Sequence, residues 1–327
     1  MKRLRGDDKS ARSIAAELLK NGGLVAVPTE TVYGLAADAT NETAVRKIFS
    51  VKGRPLLDPL IVHVGDIDSI ASICELPPEA HRLATAFWPG PLTLVLPRKA
   101  DSLIPNLVSA GKPTLAVRIP GHPVLRKLLK ESGLFLAAPS ANPFGYVSPT
   151  RPEHVEASLM EGIDALLDGG PCEHGVESTI VSLLPGEGLR LLRPGPIAPE
   201  QIEHICRLSL ASVQTERTAN PTAPGMLKSH YRPTKGIHLF SIQKPPTALK
   251  NAEAIVFLKR PKGTNSLTFW LSENGDSREI AHNLFDLLRK LDLDSRVNKV
   301  WVENPETDDG VLRAIRDRLI RAATSPD

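Results

Sequence analysis

Leu24-Val25-Ala26-Val27-Pro28-Thr29-Glu30-Thr31-Val32-Tyr33-Gly34-Leu35 is the stretch from which the fold is read. Four apolar residues stop at a proline, then Thr-Glu-Thr follows with a glycine just beyond, so hydroxyls and main-chain donors gather where a buried strand exits. Core packing does not ask for that composition. One short helix later, Lys52-Gly53-Arg54-Pro55 runs into Pro59-Leu60-Ile61-Val62-His63-Val64, a second buried strand beside a cationic loop. Both segments put small, hydroxyl or positive groups where an anion can sit.

Working outward, residues 10 to 205 alternate short helices with apolar strands. Ser10 is the expected cap of a helix with Ile14, Leu18 and Leu19 on one face, ended by Gly22-Gly23. A second helix follows Asn41, with Val45, Ile48 and Phe49 inward. Further strands are expected at Leu92 to Leu96, Thr114 to Ile119, Leu134 to Ala138, Ser178 to Leu184 and Leu189 to Leu192, with helices at His122 to Lys130 and Pro152 to Met160. This is an α/β domain on a mixed sheet, spanning residues 1–205. From 206 to 235 the periodicity fades into Ser, Thr, Asn and Pro, the makeup of a linker. Residues 236–327 restart a pattern of strands and two amphipathic helices, a smaller open α/β domain.

Composition narrows the function classes. The chain has 327 residues, 41% of them hydrophobic, enough for two cores. Forty basic against 37 acidic side chains leave a net charge of +3, too even for a protein that coats nucleic acid, so any anion site is local. Cys74, Cys172 and Cys206 lie far apart without a Cys-x-x-Cys pair, which argues against a disulfide framework or structural zinc. The basic start Met1-Lys2-Arg3-Leu4-Arg5 leads into no apolar stretch, so a soluble cytoplasmic protein with no membrane partner is expected.

No P-loop and no Gly-x-Gly-x-x-Gly opening a helix is present, so a bound nucleotide would be held by another device. Lys52-Gly53-Arg54 is that candidate: Arg grips phosphate oxygens bidentately and Lys adds a point charge. His63 alternates with apolar neighbours on a strand and, taken alone, reads more as a satisfied core histidine than as a ligand contact. Arg118, inside Ala116-Val117-Arg118-Ile119-Pro120, demands an anionic partner, either an internal carboxylate or that of a bound amino acid. Ala138-Pro139-Ser140-Ala141-Asn142-Pro143, followed by Gly145 and Ser148, forms a shelf of small residues with hydroxyl and amide donors. Ser178 lacks a Gly-x-Ser-x-Gly elbow, so a serine hydrolase is rejected.

Together these segments resemble the Sua5/YrdC family, and the likeness runs nearly the whole chain: a YrdC-like domain, a linker with Ala223-Pro224-Gly225-Met226-Leu227-Lys228-Ser229-His230-Tyr231-Arg232-Pro233, and a Sua5-type C-terminal domain. The resemblance implies a twisted mixed sheet with a smaller Rossmann-like open α/β domain. It also implies the synthesis of threonylcarbamoyl-adenylate and pyrophosphate from L-threonine, bicarbonate and ATP with Mg²⁺, for the t6A modification of tRNA. By the same resemblance Thr31, His63, Arg118, Ala138 and Ser178 fall at threonine positions, and Lys52, Arg54, Asp58, Thr114, Ser140, Asn142, Ser148 and Arg193 at ATP positions. Lys52 and Arg54 are the expected catalytic cations, and Mg²⁺ is expected to arrive with ATP, with no metal ligand assigned to the chain. Asp58, where Asn or Ser is frequent in the family, is the departure closest to the triphosphate. His230 and Tyr231 suggest a linker that folds over the cleft as a lid. Transient contact with tRNA or with t6A-transferase proteins is a further expectation.

Two rival readings stand beside it. One is a double-stranded RNA or tRNA-binding module; the other is a translation-associated factor recruiting partners through Arg313, Arg316, Arg318 and Arg321, a helix face expected to be solvated.

Overall fold

The computed structural model describes residues 1–212, 223–225, 230–246, 249, 251–307 and 310–324. β1 (Lys2–Arg5), α1 (Lys9–Lys20), β2 (Val25–Val27), β3 (Gly34–Asp38), α2 (Glu42–Lys52), β4 (Ile61–His63), α3 (Ile67–Ile73) and α4 (Pro78–Phe87) come first. They lead to the antiparallel pair β5 (Leu92–Pro97) and β6 (Thr114–Arg118). Next come α5 (Pro123–Ser132), β7 (Leu136–Ala137), α6 (Pro152–Leu159), β8 (Ala165–Asp168), β9 (Thr179–Leu184), β10 (Gly188–Arg193), α7 (Pro199–Cys206) and β11 (Ala211–Ser212). The second unit holds β12 (Gly236–Phe240), β13 (Glu253–Lys259), β14 (Thr268–Ser272), α8 (Ser277–Leu293), β15 (Lys299–Glu303) and α9 (Gly310–Ala323).

The first eleven strands form one mixed sheet in the order β1-β8-β2-β3-β7-β4-β6-β5-β9-β10-β11. Alternation along each strand feeds two cores. Val25 and Val27 pack with α1 and α5, while Ala26, Leu35, Val62 and Val117 pack with α2, α3 and α4. The second sheet, β12-β15-β13-β14, is parallel throughout, an open α/β layer with α8 and α9 supplying its core. Val32, Val147 and Val176 of the first unit join that second core beside Tyr231 and Phe285, so the two units share apolar cover.

Several local expectations shift. Asp8, not Ser10, caps α1, its carboxylate accepting the Ser10 N–H. Ile14 is exposed and the buried face is Ala11, Ala15, Ala16 and Leu19, because small residues let the helix approach α5 closely. The expected linker from 206 contains β11, a two-residue edge strand parallel to β10 and too short to show a period. The remainder of the linker at 213–222, with Met226-Leu227-Lys228-Ser229, lies outside the described residues. Arg318 and Arg321 are buried, against the expectation of a solvated arginine face. Arg318 sits three residues after Ile315 and four before Ala322, on the inward stripe of α9.

Candidate active site

The Thr-Glu-Thr segment is the connection between antiparallel β2 and β3, and it folds as a hydroxyl-closed turn. Thr29 Oγ1 accepts the N–H groups of Thr31 at 3.0 Å and Val32 at 3.1 Å and donates its own proton to Val32 O at 2.6 Å. Thr31 Oγ1, 2.8 Å from Thr29 Oγ1, must therefore donate in that contact. It in turn accepts from both Nη1 and Nη2 of Arg118 at 3.2 Å, which ties the Thr31 hydroxyl to the guanidinium.

Arg118 and His63 are neighbours in the parallel register of β4 and β6, both aimed at the same cavity. The partner of Arg118 is an internal carboxylate: Nη2 meets Glu30 Oε1 at 2.6 Å, and Nε donates to Gly90 O at 3.1 Å. Burial pushes the Glu30 carboxyl up, but the Arg118 charge and hydrogen bond outweigh it and hold the group below its ordinary value. His63 is pushed down to about 3 by burial, with Arg118 adding to the effect, so its ring is neutral at physiological pH and its Nδ1 has no partner. Ala138, tied by its N–H to Ile61 O at 3.1 Å, forms a wall of the same cavity.

The cationic loop owes its shape to Gly53. With φ at +62°, this glycine caps α2 in the left-handed region and turns the chain so that Arg54 re-enters the cleft behind Lys52. Lys52 Nζ donates to Ser140 O at 2.5 Å and to Asn142 O. Arg54 donates to the carbonyls of Asp58 and Pro59, and its Nη2 lies 2.9 Å from Asp58 Oδ2 without hydrogen-bond alignment. Arg193 closes the group from the end of β10, donating to Ser178 O at 3.1 Å, Ser178 Oγ at 3.0 Å and Pro224 O at 3.2 Å. Among the described residues, neither Lys52 nor Arg193 touches a carboxylate. Burial drives the Lys52 ammonium well below its ordinary value, with Arg54 reinforcing the shift; burial also raises Asp58.

The linker forms the roof. Pro224, Gly225, His230 and Tyr231 line the cavity opposite Thr31 and His63, leaving about 50 Å³. Gly225 has φ at +78°, and a Cβ there would lie 2.8 Å from the Tyr231 hydroxyl, so glycine is required where linker, Tyr231 and Arg193 converge. His230 packs edge-on against Tyr231 at 4.1 Å, and Tyr231 stacks on Phe285 at 5.6 Å. Asp58, His63 Nδ1, Asn142 Oδ1, His230 Nδ1 and the Tyr231 hydroxyl are buried polar groups without a hydrogen-bond partner, gathered around one cleft. Such a concentration marks a ligand site rather than packing error spread through a core.

Of the expected residues, Thr31, His63, Arg118, Ala138, Ser178, Arg54, Ser140, Arg193, His230 and Tyr231 line the cavity, and Lys52, Asp58 and Asn142 stand directly behind it. Two do not reach it. Thr114 begins β6 opposite Pro97, at the far end of the strand from Arg118. Ser148 donates to Glu177 Oε1 at 2.5 Å and sees the cavity only through that carboxylate. Sequence reasoning passed over Glu30, Glu177 and Arg318. Glu30 lay inside Thr-Glu-Thr and was the acid nearest in kind to what Arg118 required. Arg318 was visible as a charge on an apolar stripe.

Two family models match the chain. One, for the Sua5/YciO/YrdC group and described as telomere recombination, matches residues 17–195, and one described as the threonylcarbamoyl-AMP synthase C-terminal domain matches 197–324. The chain belongs to the Sua5/YrdC family. The threonylcarbamoyl-AMP synthase of Bacillus subtilis is 40% identical over 324 residues, covering 94% of this chain and 92% of that one. The Pyrococcus abyssi enzyme of the same name is 38% identical, covering 95% and 93%. Among solved structures, P. abyssi Sua5 complexed with L-threonine superposes with a TM-score of 0.88 at 33% identity, covering 98% and 97% of the two chains. The Sua5 relationship thus includes both units and the segment between them.

Proposed function

We infer that the protein is an L-threonylcarbamoyladenylate synthase, joining L-threonine, bicarbonate and ATP into threonylcarbamoyl-AMP with release of pyrophosphate and water. The observation that carries this reading is the pairing, in one cleft, of a charge-balanced end around Arg118 and Glu30 with an end where Lys52 and Arg193 have no carboxylate contact among the described residues. The near full-length likeness to enzymes named for this reaction supports it.

Arg118 retains a free N–H toward the cavity beyond those given to Glu30, Thr31 and Gly90, and offers it to the threonine carboxylate. Neutral His63 and the Arg118-held Thr31 hydroxyl, both lining the cavity, orient the amine and hydroxyl. The amine, once deprotonated, attacks bicarbonate carbon with loss of water, and the resulting N-carboxylate oxygen attacks the α-phosphorus of ATP. Lys52, Arg54 and Arg193 take up the charge that develops on the departing pyrophosphate, while Pro224, Gly225, His230 and Tyr231 keep water from the mixed anhydride. Positioning and charge neutralisation do the work; no covalent enzyme intermediate is needed.

Mg²⁺ enters with the nucleotide. Asp58 is paired with Arg54 and Glu177 with Arg318, and among the described residues no group of three acidic, His or Cys side chains stands ready to hold an ion. Charge neutralisation by the protein rests on the cations Lys52, Arg54 and Arg193. The product serves t6A formation on tRNA in the cytoplasm, passed to a transferase that accepts an unstable adenylate. No helix among the described residues is long and apolar enough to cross a membrane.

Purified protein with ATP, Mg²⁺, bicarbonate and L-threonine should release pyrophosphate, and omission of threonine or bicarbonate should abolish release. Equal release without either would overturn the assignment.

A further inference from the structure

The second unit reaches the cavity lining through the buried Arg318, with buried Arg289 bracing the segment behind it. Arg318 of α9 donates from Nε to Glu177 Oε2 at 2.8 Å, from Nη1 to Asp317 Oδ2 at 2.6 Å and from Nη2 to Pro194 O at 3.0 Å. Its guanidinium carbon also lies 5.1 Å from the centre of the Tyr231 ring. Glu177 lines the cavity, and its other oxygen accepts from Ser148. The carbonyl of Ser148 is held in turn by Arg289 Nε at 3.3 Å, from α8. One fully buried side chain thus grips the entry to β9, the turn after β10 and the roof of the cleft.

A mere interface pin would not need this chemistry, since buried ion pairs can be replaced by well-packed apolar groups with little loss of stability. A planar fork is needed where several acceptors must be held at fixed angles, and a charge is needed where a carboxylate faces an anion site. Glu177 is such a carboxylate: without a counter-charge it would oppose the cations that meet the polyphosphate. The geometry points to Arg318 as a positioning residue for this reaction, cancelling the charge of Glu177 at the nucleotide end and holding Tyr231 over the cavity, so that the C-terminal unit sets both ATP affinity and roof closure. This rests on the synthase reading.

The full chain is assayed by pyrophosphate release and, in parallel, by calorimetric binding of ATP, with protease cleavage between residues 206 and 235 as the measure of roof closure. Arg318→Met should raise the KM and Kd for ATP about tenfold or more and the threonine KM by less than about twofold, and should speed cleavage in the presence of both ligands. Adding Glu177→Gln to Arg318→Met should bring ATP affinity back toward that of the unaltered protein, because the opposing charge is gone. Arg318→Lys should keep ATP affinity, since an ammonium can face Glu177, yet leave the linker easily cut, since it cannot also reach Pro194 O and Tyr231. Glu177→Gln alone keeps an acceptor for Ser148 and should tighten ATP, which carries the test together with Arg318→Lys if the methionine variant does not fold. Folded variants whose ATP and threonine constants move in parallel, an ATP affinity that does not improve on Glu177→Gln in either background, or a lysine variant that restores linker protection as well as affinity would overturn the proposal. If the unaltered protein releases no pyrophosphate, the synthase reading fails, while the ATP-binding series still decides the role of Arg318.

Discussion

At one end of the cleft Arg118 meets Glu30 at 2.6 Å and neutral His63 stands beside them; at the other, Arg54 pairs with Asp58 while Lys52 and Arg193 hydrogen-bond to carbonyl and hydroxyl oxygens. The first end is balanced in charge and the second is not. A zwitterionic amino acid needs a site that orients both of its charges without adding a net one, whereas a polyphosphate stabilises cations that are otherwise costly to bury. Burial drives the Lys52 ammonium below its ordinary value, and an arriving anion opposes that shift. The difference between the ends therefore assigns the ligands more firmly than either end alone.

The largest effect expected from breaking this asymmetry is at Lys52. Lys52→Ala should lower kcat by about two to three powers of ten with a smaller change in the threonine KM, because the lost charge acts on the leaving pyrophosphate. A change confined to the threonine KM would show the ends to be exchanged. Removing the roof should cost less: the His230→Ala, Tyr231→Ala double change should reduce turnover about tenfold or more and abolish ligand protection of the linker from protease. Full activity with unchanged cleavage would reduce the roof to a tether.

At the balanced end, Arg118→Ala should raise the threonine KM about tenfold or more and leave the ATP KM nearly unchanged. It also strands Glu30, which at about 3–5 kcal/mol is a large loss of stability. Adding Glu30→Gln should return the melting temperature while leaving the threonine KM high. Recovery of both would mean that Arg118 serves only its carboxylate.

A separate effect, on stability rather than turnover, concerns pH. His63 titrates near 3 in the fold but near the ordinary histidine value when unfolded, so the unfolded chain binds more protons in between, and stability rises with pH across about 3 to 6.5. His63→Leu should flatten that rise in denaturant titrations run at stepped pH. An unchanged slope would show that the ring charges freely in the folded protein.

What was legible in advance follows the same division. Arg118 announced itself as a charge inside an apolar strand, and Lys52 and Arg54 as cations around a glycine, because each breaks a local pattern. Their partners did not. Glu30 is an ordinary acid until the β2–β3 turn brings it 88 residues back onto Arg118, and Arg318 crosses from the other unit to reach Glu177. β7 falls inside the strand expected at Leu134 to Ala138, but the two-residue β11 carries too little sequence for any period, and β1 with β8, which joins it to β2 at the sheet edge, was not anticipated. Strands in the second unit were legible because its parallel sheet is built from longer apolar runs. Local pattern reveals the anomalous residue; only the assembled sheet reveals what satisfies it.

The charge asymmetry is tested most directly by calorimetry of AMP, ADP and ATP with the full chain and with its Lys52→Met variant. Each added phosphate extends negative charge toward Lys52, Arg54 and Arg193, so affinity should climb about tenfold or more from AMP to ATP in the unaltered protein, climb much less in the variant, and leave threonine binding the same in both. Equal affinity for AMP and ATP, or a variant in which threonine binding falls as steeply as ATP binding, would contradict the account.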